Sequence, residues 1–190
     1  LVDLRARIAA GAFGALLAVH CYQWDQLPPA DEFRDRSGGI FVDMGVHEFD
    51  QVRWLTGQEW ESLDVAATRL GSRPDDPDSG LAVGVLDGGT TALLSLGRYH
   101  PAGDSCAVEV YGTHDTVRLP FLPPVGGDAV FAEALRLQAE DFARSVLGGP
   151  STGATVADAV AALRLARLAS NQITPAPPPA VAAGPPQEST

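Results

Sequence analysis

The 190-residue chain contains no lysine: all thirteen basic residues are arginines, set against 24 Asp and Glu for a net charge of −11. Nowhere do the arginines form a run that would neutralise a row of phosphates, which excludes nucleic acid and anionic membrane surfaces as partners. No apolar stretch approaches the roughly 20 residues of a membrane-spanning helix, and the first residues lack a signal-peptide pattern. These absences predict a cytoplasmic protein. Cysteine is scarce. Cys21 and Cys106 lie in strand-like segments without metal-ligand spacing and read as buried free thiols of a reducing compartment; a bond between neighbouring strands is the alternative left open. Methionine occurs once, at Met44, and the chain opens on Leu1 inside a helical pattern, as a segment of something longer or a processed product would.

What is present suffices for one core. Leu1, Leu4 and Ile8 share a helical face closed by Gly11 and Gly14, and Ala15–Trp24 alternates as a strand. Residues 26–37, with Pro28 and Pro29, read as a loop, and 61–69 as a second strand. Residues 71–80 read as an acidic surface loop. Asp87–Gly88–Gly89 and Gly112–Asp115 each sit between apolar runs, as hairpin turns do. Strands joined this way predict an antiparallel sheet rather than βαβ units. Phe131, Leu135, Ala139, Phe142 and Val146 return to helical spacing, and Thr155 with Asp158 forms a capping box ahead of a last helix. The class predicted is α+β: a mostly antiparallel sheet of about five or six strands with helices on one face, its other face exposed or used for subunit contact. It forms one domain over residues 1–173, followed by a disordered Pro/Ala-rich tail at 174–190.

The most informative stretch is Ser37–Gly57, in which a glycine pair feeds a helix carrying Asp43, His47 and Asp50. Positions i, i+4 and i+7 share a face, so these three make a polar stripe extended by Trp54, while Val42, Val46, Phe49 and Val52 face a core. A carboxylate one turn from an imidazole serves acid–base chemistry or ligates a metal. A metal would draw its third ligand from His20 or Glu109, but no second H-x-x-x-H supports it, and no metal is expected. Asp50 is expected to pair with a neighbouring arginine or cap a backbone group, Glu48 to lie at a core edge or interface, and His100 and His114 to be solvated.

Three motifs are similar to a known family: G-G-x-x-x-D-x-x-x-H-E-x-D from Gly38, L-R-A-R-I-A-A-G-A-F-G from Leu4, and V-E-V-Y-G-T at Val108–Thr113. With S-T-G-A-T at Ser151–Thr155, they resemble the Gfo/Idh/MocA oxidoreductases, in the inositol 2-dehydrogenase branch. The resemblance implies a Rossmann domain followed by an α+β domain, of which only the second is here: the chain lacks G-x-G-x-x-G after a strand, and no lysine matches the family's E-K-P motif. It implies that Asp43 and His47 surround the alcohol carbon. Oxidising a secondary alcohol releases a hydride and a proton, and a neutral imidazole suits the proton. His47 is therefore the candidate base, Asp43 its partner, and Asp25 and Gln23 at the end of the first strand the candidate substrate-binding groups. The expected function is the substrate domain of an NAD(P)-dependent dehydrogenase acting on a cyclic polyol or sugar. NAD or NADP would be bound by a Rossmann domain in cis or in trans, with no cofactor on this chain alone and a homo-oligomer as the assembly. The alternative is a stand-alone binding or assembly module.

Overall fold

The computed structural model describes residues 1–70, 76–121, 127–150 and 152–173. Alternation builds its centre. In β1 (Leu16–Trp24), Val19 and Cys21 are fully buried, while His20, Tyr22 and Trp24 fall on the other face. With β2 (Asp64–Thr68), β3 (Ser79–Val85), β4 (Thr91–Gly97), β5 (Ser105–Gly112) and β6 (Thr116–Pro120), it forms one sheet in the order β2-β3-β4-β1-β5-β6. Both expected hairpins are present, and four of the five strand pairs are antiparallel. The exception is central: β1 and β4 run parallel, from Ala18 beside Thr91 to Trp24 beside Gly97. Hairpin signals report only neighbours in sequence. The long excursion from β1 to β2 brings the β2–β3–β4 meander back with β4 pointing along β1. The α+β class therefore stands, with a mixed rather than wholly antiparallel sheet.

Two glycines with left-handed backbone, Gly38 (φ 84°) and Gly39 (φ 87°), turn the chain into a π-helical turn at Phe41–Gly45, which continues as α3 (Val46–Thr56). The sequence predicts an α-helix throughout; the wider turn is not visible in hydrophobic periodicity. It is seated by small residues, since a Cβ on Gly80 would lie 2.9 Å from the Phe41 ring and one on Gly45 3.2 Å from Leu96. Gly57 (φ 67°) stops α3 as expected. Phe49, Val52 and Leu55 enter one core with Val19, Leu94, Leu96, Val108 and Val110 of the sheet, whereas Val42 and Val46 are only partly buried. Against α3 pack α1 (Val2–Ala9) and α5 (Val156–Gln172); α5 begins on the Thr155–Asp158 capping box and approaches through buried Ala162, Ala166 and Ala169.

Other expectations change. Residues 26–37 contain a one-turn helix, α2 (Asp31–Arg34). The end of the acidic loop is not at the surface: Asp76 and Asp78 are buried, and residues 71–75 lie outside the described ones. α4 (Gly127–Val146) is helical, but Phe131, Leu135, Phe142 and Val146 remain 46–69% exposed. The tail expected at 174–190 also lies outside the described residues. On the sheet face away from α3, Leu81, Val83 and Val85 are 41–46% exposed. Among the described residues no helix is long and apolar enough to cross a membrane.

Candidate functional site

Asp43 stands in the middle of the π-helical turn, with its side chain 20% exposed, and His47 follows on the exposed side of α3. Among the described residues the His47 imidazole makes no hydrogen bond, so both ring nitrogens are free to meet a ligand. The Asp43 carboxylate is anchored from below: its Oδ2 lies 2.9 Å from Nη1 of Arg98, a fully buried guanidinium just past β4. That nitrogen is in ion-pair range but off the line of a hydrogen bond. Nη2 of Arg98 donates to Asp76 Oδ1 at 3.0 Å. Asp76 in turn takes the Nε–H of Arg34, whose Nη2 donates to Asp78 Oδ1 at 3.0 Å. Two arginines and three aspartates thus link α2, the segment entering β3, the end of β4 and the π-helical turn. A buried charge persists only when it is paired in this way.

Asp25 joins the same group from the end of β1. Its backbone N–H donates to Gly97 O at 2.9 Å and its carbonyl accepts from His100 N at 2.9 Å, which ties the strand end to β4 and the following loop. Partial burial holds its carboxyl above the usual range; the nearby Asp104 and Asp43 add to this, and Arg98 opposes it. Gln23 lies on the α3 side of β1, between Leu96 and Cys106, partly buried. Asp25, Asp43 and Arg98 therefore share one electrostatic neighbourhood, with Gln23 two residues before Asp25 on the strand that leads into it.

Beneath His47 the chain buries a carboxyl group. Glu48, 3% exposed, accepts from Gln51 Nε2 at 3.2 Å, and the same nitrogen lies 3.2 Å from Cys21 Sγ. Burial pushes Glu48 up to about 7, while a hydrogen bond from the Cys21 thiol pulls the other way. It lies deeper than the core edge the sequence predicts. Unfolded, Glu48 loses its proton near 4.5; folded, it keeps it to about 7. Stability from this group is therefore complete below about pH 4.5 and is lost as pH rises through about 7. Glu48→Gln, which cannot ionise, is expected to gain up to about 3 kcal/mol on the parent between about pH 4.5 and about pH 8. Urea unfolding at the two pH values measures this, and an unchanged difference between the proteins would contradict it.

The remaining residues singled out in the sequence lie outside the Asp25–Asp43–Arg98 group, Asp50 within electrostatic reach of His47. Asp50 pairs with Arg53 at 3.6 Å, as expected of it. Trp54 carries the Arg5 guanidinium 4.7 Å from its ring centroid. They line a groove of about 680 Å³ at the C-terminal end of α3, where Arg53 is already paired with Glu59 at 2.7 Å. His20 and Glu109 are on the sheet face opposite α3, where Glu109 accepts from Tyr22 Oη at 3.0 Å and Tyr111 Oη at 2.7 Å. They cannot complete a metal site with Asp43 and His47, and among the described residues no cluster of three His, Cys, Asp or Glu is placed to hold a metal. His114 is exposed, while His100 is partly buried and bonded through Nδ1 to Gly103 O, so only the first is solvated as expected. Both cysteines are free thiols. Sequence reasoning missed Arg98, Arg34, Asp76 and Asp78. An isolated arginine directly after an alternating apolar strand was the one available sign.

A model of the GFO/IDH/MocA C-terminal domain matches residues 1–118. The rhizopine catabolism protein MocA of Rhizobium meliloti is 46% identical over 177 residues, covering 92% of this chain and 56% of the relative. The myo-inositol dehydrogenase Hyg17 of Streptomyces leeuwenhoekii is 35% identical over 190 residues, covering 90% of this chain and 58% of the relative. The chain thus spans little more than half the length of these relatives. Among solved structures, the myo-inositol 2-dehydrogenase of Lactobacillus plantarum superposes on 90% of this chain and 58% of its own, with a TM-score of 0.77 at 24% identity. The scyllo-inositol dehydrogenase of Lactobacillus casei with bound NAD(H) and scyllo-inositol covers the same shares, with a TM-score of 0.71 at 22% identity. At these identities the structures speak for the fold. With most of the sequence matched by the family's C-terminal domain and close to half of it identical in a relative, this chain belongs to the Gfo/Idh/MocA oxidoreductase family, as its C-terminal domain.

Proposed function

We propose that this chain is the substrate-binding half of a dehydrogenase that oxidises a secondary alcohol of a cyclic polyol or sugar. The observation that carries the reading is the placement of Asp43 and His47 one helical turn apart, both accessible, with Asp25 in the same neighbourhood. His47 takes the hydroxyl proton: a neutral imidazole accepts it near neutral pH, and the carboxylate of Asp43 stabilises the imidazolium so formed. Asp25 and Gln23 hold further hydroxyls, Asp25 as acceptor and Gln23 as donor or acceptor. The names of the relatives, a rhizopine catabolism protein and a myo-inositol dehydrogenase, support a polyol over other alcohols. They equally disfavour a stand-alone, non-catalytic module.

The hydride acceptor, NAD or NADP, does not fit the residues present. Among the described residues no strand passes through a glycine-rich turn into a helix N-terminus, the arrangement that cradles a pyrophosphate, and the chain has no lysine to complete the site. The dinucleotide is assigned to a Rossmann domain in cis or in trans. The uncovered apolar strip Leu81–Val83–Val85 supports a homo-oligomer in which a second copy closes the open sheet face. Two free thiols fit a reducing cytoplasm. Titration calorimetry of this chain with NAD tests the division of labour: no binding is expected, and micromolar affinity would refute the assignment of the cofactor to another domain.

A further inference from the structure

Arg98 is the largest fully buried side chain among the described residues, yet the proton transfer proposed above makes no use of it. Its guanidinium is fixed on one side by Asp76, through Nε at 3.3 Å and Nη2 at 3.0 Å, and reaches Asp43 on the other. Asp76 is itself held by Arg34, so the anchor cannot swing. We propose that Arg98 is the positioning residue of the site: it pins Oδ2 of Asp43, which fixes the direction in which the rest of that carboxylate meets substrate or His47. The inference rests on the reading of Asp43 and His47 as the reacting pair.

Three features support it. First, Arg98 is fully buried and so cannot touch substrate itself, while the Asp43 side chain keeps 20% exposure; one carboxylate thus bridges the buried network and the solvent-facing site. Second, Asp43 sits in a π-helical turn, a rare variant of the helix that occurs frequently at functional sites. Third, Nη1 has no aligned acceptor, so a small rotation of Asp43 on substrate binding would gain a buried hydrogen bond, favouring the occupied geometry. A planar two-sided fork is required for this. Lysine, a point charge on a flexible stem, supplies the charge without the geometry.

A double-mutant cycle in the dehydrogenase completed by its cofactor domain tests the proposal, with folding of each variant checked by circular dichroism. Arg98→Lys is expected to lower kcat about 10- to 100-fold with KM within about threefold, because orientation rather than binding is lost. In the Asp43→Asn background the same substitution is expected to change kcat less than about twofold, since the carboxylate charge that Arg98 holds is gone. Asp76→Ala, which leaves Arg98 in place but removes the acceptor of both its hydrogen bonds, runs through the same cycle in parallel and should show the same dependence on Asp43. Equal losses in both backgrounds would show a merely structural arginine and overturn the inference while leaving the site intact. Full turnover in Asp43→Asn and His47→Ala would instead remove the reacting pair, and the inference with it.

Discussion

On the function proposed above, replacing His47 by alanine in the chain joined to its cofactor domain is expected to lower kcat about 10²- to 10⁴-fold, the range set by loss of a general base. The magnitude is chemical rather than structural. His47 is exposed on α3 and makes no hydrogen bond among the described residues, and alanine is the best helix former, so the fold gives up nothing at that position. Steady-state kinetics and a thermal melt separate the two: turnover should collapse while the melting temperature holds. Turnover within twofold of the parent would take the base role away from His47 and leave the exposed imidazole as ordinary helix surface.

The second large effect is on stability. Arg98→Met is expected to lower the free energy of unfolding by about 3 kcal/mol, the cost of removing the fully buried arginine shared by two carboxylates of a buried charge network. Asp76 would keep Arg34, but the partly covered Asp43 would lose its only ion-pair partner among the described residues. The methionine replaces most of the volume, so a cavity does not account for the loss. Denaturant unfolding of the two proteins measures it. A difference below about 1 kcal/mol would show that the network is already satisfied without Arg98. Replacing an arginine at the surface, such as Arg136 on α4, which pairs with Glu133 at 2.7 Å while half exposed, should cost no more than the small amount typical of surface ion pairs.

How far the sequence foretells this molecule depends on the range of the signal. Local periodicity carries α3, the hairpins at Asp87–Gly89 and Gly112–Asp115, and the Thr155–Asp158 cap, because each is settled by residues within a few positions of one another. The parallel pairing of β1 with β4 is not local: residues 18 and 91 become neighbours only after the whole α3 excursion closes, and no run of residues encodes that. The acidic loop misleads for the same reason. Asp76 and Asp78 have the composition of solvated residues, and their burial depends on Arg34 and Arg98, 42 and 22 residues from Asp76. The resemblance of Gly38–Asp50 to a family motif located Asp43 and His47, but motif matching did not reveal what lies behind them. A π-helical turn and a buried arginine are properties of packing, expressed in sequence only as Gly45, Gly80 and an unremarkable Arg98.

Asp43, His47 and Asp25 are proposed to surround the place where a polyol sits, and amide-detected NMR of this chain during titration with myo-inositol tests this most directly. Saturable shifts are predicted to gather at residues 23–25, in the π-helical turn at 41–45 and at His47, and to vanish in Asp43→Asn. Shifts confined to α4 or to the open sheet face, or shifts that survive that substitution unchanged, would contradict it.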